Sequence, residues 1–173
     1  MELFYFAYLW NETVKPAVTT RRAVEADVPA LIDLAQRSWL SGNCELAPIE
    51  AVRDWFEDDF ERTRYPEIWP AVTVAEQGTR ILGLTSADGC EVADLWVHPS
   101  FQRRGIGSML LQVAEEEIQL AGHYTSRLCY TEYNVAAPCF YRAHGYTEAG
   151  RSPERLPCGI VRDVIIMEKK LNS

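Results

Sequence analysis

What this chain of 173 residues lacks narrows it first. No apolar run approaches the roughly 20 residues needed to cross a bilayer. The opening Met1-Glu2-Leu3-Phe4-Tyr5-Phe6-Ala7-Tyr8-Leu9-Trp10 has an acid where a signal peptide carries bases and aromatics where it carries leucines. Basic residues are outnumbered, 17 Lys and Arg against 25 Asp and Glu, and the formal net charge of -8 excludes the broad basic surface that nucleic-acid phosphates require. The cysteines Cys44, Cys90, Cys129, Cys139 and Cys158 form no C-x-x-C pair, and no histidine stands at zinc-ligand spacing. They read as reduced thiols. There is no internal repeat and no low-complexity tract. These absences predict a cytoplasmic protein with no membrane, nucleic-acid or metal partner, and the acidity suits a cationic small molecule or peptide.

What is present is a globular composition, 47% hydrophobic and 24% charged, in a length that buries one core on both faces of a sheet. Residues 1–17 stand apart as an aromatic-rich appendage, an arm or an extra strand, which leaves a homodimer open; residues 18–173 read as one domain. Residues 17–24 suit a strand, and Asp27 caps a helix with Leu31, Leu34 and Ala35 on one face. Ile49, Val52, Phe56 and Phe60 repeat at helical spacing, with Glu50, Asp54, Glu57, Asp58 and Glu61 on the other face, read as solvated. Three strand-like runs, 71–76, 80–86 and 91–97, are divided by Gln77-Gly78 and Asp88-Gly89, the pattern of an antiparallel meander. A helix over 106–121 presents Leu110, Leu111, Ala114, Ile118 and Ala121 and stops at Gly122. A strand at 128–131, a helix at 136–143 and a strand at 164–167 follow.

The segment joining the third strand to the long helix carries the chemistry. Gln102-Arg103-Arg104-Gly105-Ile106-Gly107-Ser108 is a tight, glycine-bearing turn that opens a helix. Without side chains at Gly105 and Gly107 an anion can approach the backbone, and the first N–H groups of the helix point at it. Arg103 and Arg104 add positive charge. A dinucleotide fingerprint would need its third glycine at Leu110, and a Walker A loop would need Gly-Lys-Ser/Thr. Neither is there.

The run Asp94-Leu95-Trp96-Val97-His98-Pro99-Ser100-Phe101-Gln102-Arg103-Arg104-Gly105-Ile106-Gly107-Ser108 resembles the acetyl-CoA-binding segment of the GNAT superfamily, whose hallmark is Gln/Arg-x-x-Gly-x-Gly/Ala. A second block, Asn134, Ala137, Phe140-Tyr141 and His144-Gly145-Tyr146, resembles the family's Asn-x-x-Ala-x-x-Phe-Tyr-x-x-x-Gly-Phe pattern, with Tyr146 in place of Phe and Pro138 inside it. The resemblance implies an α/β (α+β) fold: a mixed, mostly antiparallel sheet of about six or seven strands, flanked by about four helices. A splayed strand pair would hold the cofactor. It also implies an N-acetyltransferase moving acetyl from acetyl-CoA, without metal, to a primary amine of a small molecule or peptide by direct attack.

Carried over, the resemblance has backbone groups of Leu95, Trp96 and Val97 pair with the pantetheine arm, Gln102 through Ser108 hold the pyrophosphate, and Asn134 sit near the pantetheine. Tyr141 would protonate the leaving thiolate. Glu91 stands where some members with a peptide substrate carry a catalytic glutamate; Asp94, Glu132 and water remain its rivals as base. His98, His123 and His144, at a turn and two helix ends, read as structural. A non-catalytic acetyl-CoA sensor or interaction module is the alternative.

Overall fold

A computed structural model describes residues 16–57, 60–155 and 159–172. Seven strands form one sheet: β1 (Thr19–Arg22), β2 (Val72–Gln77), β3 (Arg80–Asp88), β4 (Glu91–Val97), β5 (Thr125–Thr131), β6 (Thr147–Arg155) and β7 (Val161–Lys170). Their order is β1-β2-β3-β4-β5-β7-β6. All neighbours run antiparallel except β4 and β5, which are parallel. Five α-helices are described: α1 (Val28–Asn43), α2 (Ile49–Glu57), α3 (Phe60–Ile68), α4 (Ile106–Leu120) and α5 (Ala137–Ala143).

Apolar spacing decides which faces are covered. In α1, Leu31, Leu34, Ala35 and Trp39 recur every three or four residues and are buried. The first three pack with Val72, Val74 and Leu84 of the sheet, with Trp96 at the margin. In α4, Ile106 and Leu110 close on Ala75 and Leu82, while Leu111, Ala114 and Ile118 close on Val92, Leu128, Ile165 and Met167. Side chains alternate along β4, so Trp96 and Leu95 belong to different cores and the strand is clamped between the two layers.

Several expectations change on contact with the fold. Asp27 does not cap α1 through its side chain. Its carboxylate instead accepts the Val24 N–H at 2.9 Å and the Arg21 guanidinium at 2.6 Å, which ties β1 to the turn that follows. The stripe at Ile49, Phe56 and Phe60 does not enter the core; these residues are exposed, Ile49 by 73%, and Ala51 is the buried residue of α2. Strand β6 has no counterpart in the sequence reading because eight of its nine residues are exposed, which leaves no alternation to read. The described cysteines, Cys44, Cys90, Cys129 and Cys139, are free thiols. Cys158, Asp58 and most of the appendage, residues 1–15, lie outside the described residues.

Glu61 is not on a solvated face either. It is 3% exposed, against Asp94 of β4, and its Oε2 has no hydrogen-bond partner. Burial, and then the charge of Asp94, push its carboxyl up to about 7 from the usual 4.5. The folded state therefore binds this proton more tightly than the unfolded chain does. The associated stability is fully present below about pH 4.5 and is lost as pH rises through about 7, a change on the order of 3 kcal/mol. Glu61→Gln keeps the shape without the charge. It is expected to raise the melting temperature at about pH 8 and to change it little at about pH 4. Equal shifts at both values would contradict a buried, proton-holding Glu61.

Candidate active site

The parallel pair β4 and β5 is joined at one register position, Glu91 opposite Arg127, with the Arg127 N–H donating to Cys90 O at 2.8 Å. Beyond that point the strands part. The His98 N–H donates to Leu82 O, and the register puts Trp96 opposite Leu84, so alternation turns the main chain of Trp96 toward β3. The main-chain groups of Leu95 and Val97 therefore face the gap. Trp96, for which the sequence reading expected a backbone contact, also lines the cleft. The Val97 carbonyl accepts from Ser38 Oγ at 3.1 Å and from Gln102 Nε2 at 3.2 Å, which fixes α1 and the following loop at the mouth of the gap.

The gap opens into a cleft of about 670 Å³. Leu95, Trp96, Val97, Gln102, Arg103, Gly105, Gly107, Ser108, Asn134 and Tyr141 all line it, so two sequence blocks read separately converge on one cavity. Ile106 and Arg104 are set apart. Ile106 is buried in the core and anchors the start of α4. The Arg104 guanidinium lies 5.1 Å from the Phe101 ring centre.

Local conformation explains the loop's residue types. Arg103 takes φ of 62° and Gly105 takes φ of 84°, the left-handed region that costs a non-glycine residue about 1–2 kcal/mol. Among the described residues a Cβ built at Gly105 would meet no atom within 4 Å, so the space above that backbone, on the lining of the cleft, is open. At Gly107 the constraint differs: a Cβ would lie 3.3 Å from the Phe140 ring, so glycine lets α5 approach α4. Gly107 and Ser108 of the first turn of α4 line the cleft together with Arg103, and an anion suits the N-terminal end of a helix.

Asn134 accepts the Ala137 N–H on Oδ1 at 3.1 Å and so caps α5, while its Nδ2 lies toward Gly42 of α1. Tyr141 is half-buried among Tyr130, Phe140 and Tyr146, with ring centres 6.3, 5.1 and 5.8 Å away. Desolvation, and then the neighbouring Cys129 and Tyr130, raise its phenol far above the ordinary range, so it is protonated at neutral pH. Among the described residues no group hydrogen-bonds the Tyr141 hydroxyl. Tyr146 replaces the family's phenylalanine for a visible reason: its hydroxyl donates to Glu115 Oε1 at 2.9 Å and accepts from Ser126 Oγ at 2.6 Å, while Lys169 Nζ holds the same carboxylate.

Residues 69–148 match the family model described as the acetyltransferase (GNAT) domain. Over that stretch the chain is similar to a GNAT acetyltransferase domain. Solved structures agree with it in fold. A GCN5-related N-acetyltransferase from Rhodopseudomonas palustris superposes with a TM-score of 0.77 at 17% identity, covering 91% of this chain and 98% of that one. The PaiA N-acetyltransferase from Thermoplasma acidophilum, in complex with coenzyme A, gives 0.72 at 20% identity, covering 89% and 99%. A ribosomal-protein-alanine N-acetyltransferase from Brucella melitensis gives 0.62 at 24%, covering 88% and 99%. No curated protein matches the chain.

The fold brings in three lining residues that the sequence did not announce, Ser38, Ser41 and Gly42, all from the C-terminal half of α1. They carry no motif, and only the fold sets α1 beside the parted strands. Conversely, the three carboxylates considered as bases do not line the cleft. Glu91 is exposed at the joined end of β4 and β5, 3.9 Å from Arg127. Asp94 is 4% exposed and accepts from Arg64 at 2.8 Å and from Ser86 and the Trp96 indole. Glu132 accepts the Asp163 N–H at 3.0 Å, beside β7.

Proposed function

We propose that the protein is an N-acetyltransferase that transfers acetyl from acetyl-CoA to a primary amine of a small molecule or peptide. The observation that carries this reading is the convergence of the parted β4 edge, the Gly105 loop and the Tyr141 phenol on one cleft. The residues fit the cofactor in three respects. The main-chain groups of Leu95 and the N–H of Val97 face the gap as a strand edge does, which suits an amide-bearing pantetheine arm, while the Val97 carbonyl is already held by Ser38 and Gln102. The open space above Gly105 and the charge of Arg103 suit a pyrophosphate. Tyr141, protonated, lines the same cleft as Leu95 and Asn134, where the thioester end of such an arm would reach.

When bound, acetyl-CoA supplies an activated acyl group. The chain orients it along β4 and holds its phosphates at the start of α4. As the amine nitrogen bonds to the acetyl carbon and the C–S bond breaks, the Tyr141 hydroxyl gives its proton to the departing sulfur. The proton lost by the amine passes to water and returns to the tyrosine. Water is the preferred carrier because Glu91, Asp94 and Glu132 lie off the cleft. Glu91→Gln is accordingly expected to change turnover by less than about twofold, where loss of a working base costs about 100-fold or more. A loss of that size would restore Glu91 as the base.

The acceptor class is tested by screening release of free coenzyme A thiol against polyamines, aminoglycosides, amino acids and basic peptides. Release with at least one amine supports transfer. Tight acetyl-CoA binding with no release across all four classes would favour a non-catalytic sensor.

A further inference from the structure

The phosphate loop and α5 meet through a histidine that takes no part in the reading so far. His144, just past α5, has both ring nitrogens engaged: Nδ1 lies 2.8 Å from Phe140 O, and Nε2 lies 2.8 Å from Oγ of Ser108. A carbonyl oxygen only accepts, so Nδ1 carries a hydrogen, and in the neutral ring Nε2 is then an acceptor. The hydroxyl hydrogen of Ser108 is committed to His144. A serine in that state turns only lone pairs to the cleft it lines, and lone pairs repel a phosphate oxygen. Protonating the ring reverses the bond: Nε2–H donates to Ser108 Oγ, and the serine hydrogen is freed to donate to an anion.

We propose that His144 is a positioning residue that couples cofactor binding to uptake of a proton, its ring becoming charged as a pyrophosphate reaches Ser108. This rests on the acetyl-CoA reading above. No bond is made or broken except to the proton, which comes from solvent. Among the described residues no carboxylate hydrogen-bonds the ring, whose partners are Phe140 O and Ser108 Oγ, so an arriving pyrophosphate is an anion that favours the charged ring. Arg103 and Arg104 of the loop and Arg142 of α5 are cations. Of the acids of α4, Glu115 is paired with the cationic Lys169 of β7, at 2.7 Å, while Glu116 accepts from the neutral Gln112 amide, at 2.8 Å, and keeps its charge.

The test is calorimetric titration of dephospho-coenzyme A into the full chain, in buffers of different ionisation enthalpy. This probe keeps the pyrophosphate but lacks the terminal phosphate, which itself titrates at about pH 6. For the wild type, binding is expected to take up a fraction of a proton at about pH 7 and to tighten about threefold to tenfold between about pH 8 and about pH 6. His144→Gln is expected to bind with no buffer-dependent heat and no such pH slope. Ser108→Ala leaves the ring in place and is expected to lose most of the slope, so it carries the test if His144→Gln does not fold. Binding by the wild type without proton uptake, or uptake retained in His144→Gln, overturns the proposal and leaves the acetyl-CoA reading standing. Failure of the wild type to bind either dephospho-coenzyme A or acetyl-CoA overturns both.

Discussion

Tyr141→Phe is expected to lower turnover by about 100-fold to 10,000-fold, the range general acid catalysis supplies, while acetyl-CoA affinity changes little. The substitution removes a hydroxyl and almost nothing else. The ring contacts with Tyr130, Phe140 and Tyr146 are those of a benzene ring and survive. No described residue loses a hydrogen-bond partner, so stability is expected to hold. Burial keeps the phenol protonated at neutral pH, which an acid requires, and also makes it a reluctant donor. The proton therefore moves as charge develops on sulfur and not before. Steady-state turnover with an acceptor from the thiol-release screen, alongside calorimetric affinity for both proteins, measures this. Turnover near the wild-type rate with chemistry rate-limiting would return Tyr141 to the role of a packed aromatic.

Gly105→Val is expected to weaken acetyl-CoA binding by more than about tenfold through two effects that act together. Valine is β-branched and resists the φ of 84° that the loop adopts, at a cost of about 1–2 kcal/mol or more. Its side chain would also project into the space that no atom of the described residues occupies, where the pyrophosphate is proposed to sit. Gly105→Ala separates the two, since alanine carries most of the backbone strain with little of the bulk. Its affinity is expected to fall between those of wild type and valine. The apolar seat of the loop, Ile106 against Leu110, is untouched, so the fold is expected to persist in both variants. Unchanged affinity in Gly105→Val would remove the loop from the binding site.

The parts of this architecture that sequence made legible are those where the local pattern and the tertiary environment agree. Strands β2 and β3 are near-continuous buried runs, and β2, β3 and β4 are separated by Gly78 and Gly89, both at positive φ, so apolar composition and turn chemistry mark the same boundaries. Helix α4 buries Leu110, Leu111, Ala114 and Ile118 as its spacing requires. The remainder was hidden where the two disagree. Strand β6 pairs with β7 along its whole length yet exposes almost every residue, so nothing in its pattern marks a strand. The apolar stripe of α2 looks like a core face and is exposed, while Glu61 looks like a surface acid and is buried against Asp94. Within the site, glycines and arginines at fixed spacing reveal the loop. Ser38, Ser41 and Gly42 reach the cleft through the packing of α1, and the exclusion of Glu91 follows from which end of the β4 and β5 pair is closed. Neither property has a local signature.

The measurement that bears most directly on the central claim is the melting temperature of the wild-type protein with acetyl-CoA, NADH and ATP at matched concentrations. A ligand that binds only the folded state stabilises it by mass action, about 2.7 kcal/mol when present at 100 times its dissociation constant. Acetyl-CoA is expected to raise the melting temperature by several degrees and the two nucleotides far less, because the loop has glycines for a pyrophosphate but lacks the third glycine and the Gly-Lys-Ser/Thr of the nucleotide loops. Equal stabilisation by all three ligands, or none by acetyl-CoA, would contradict the assignment of this cleft.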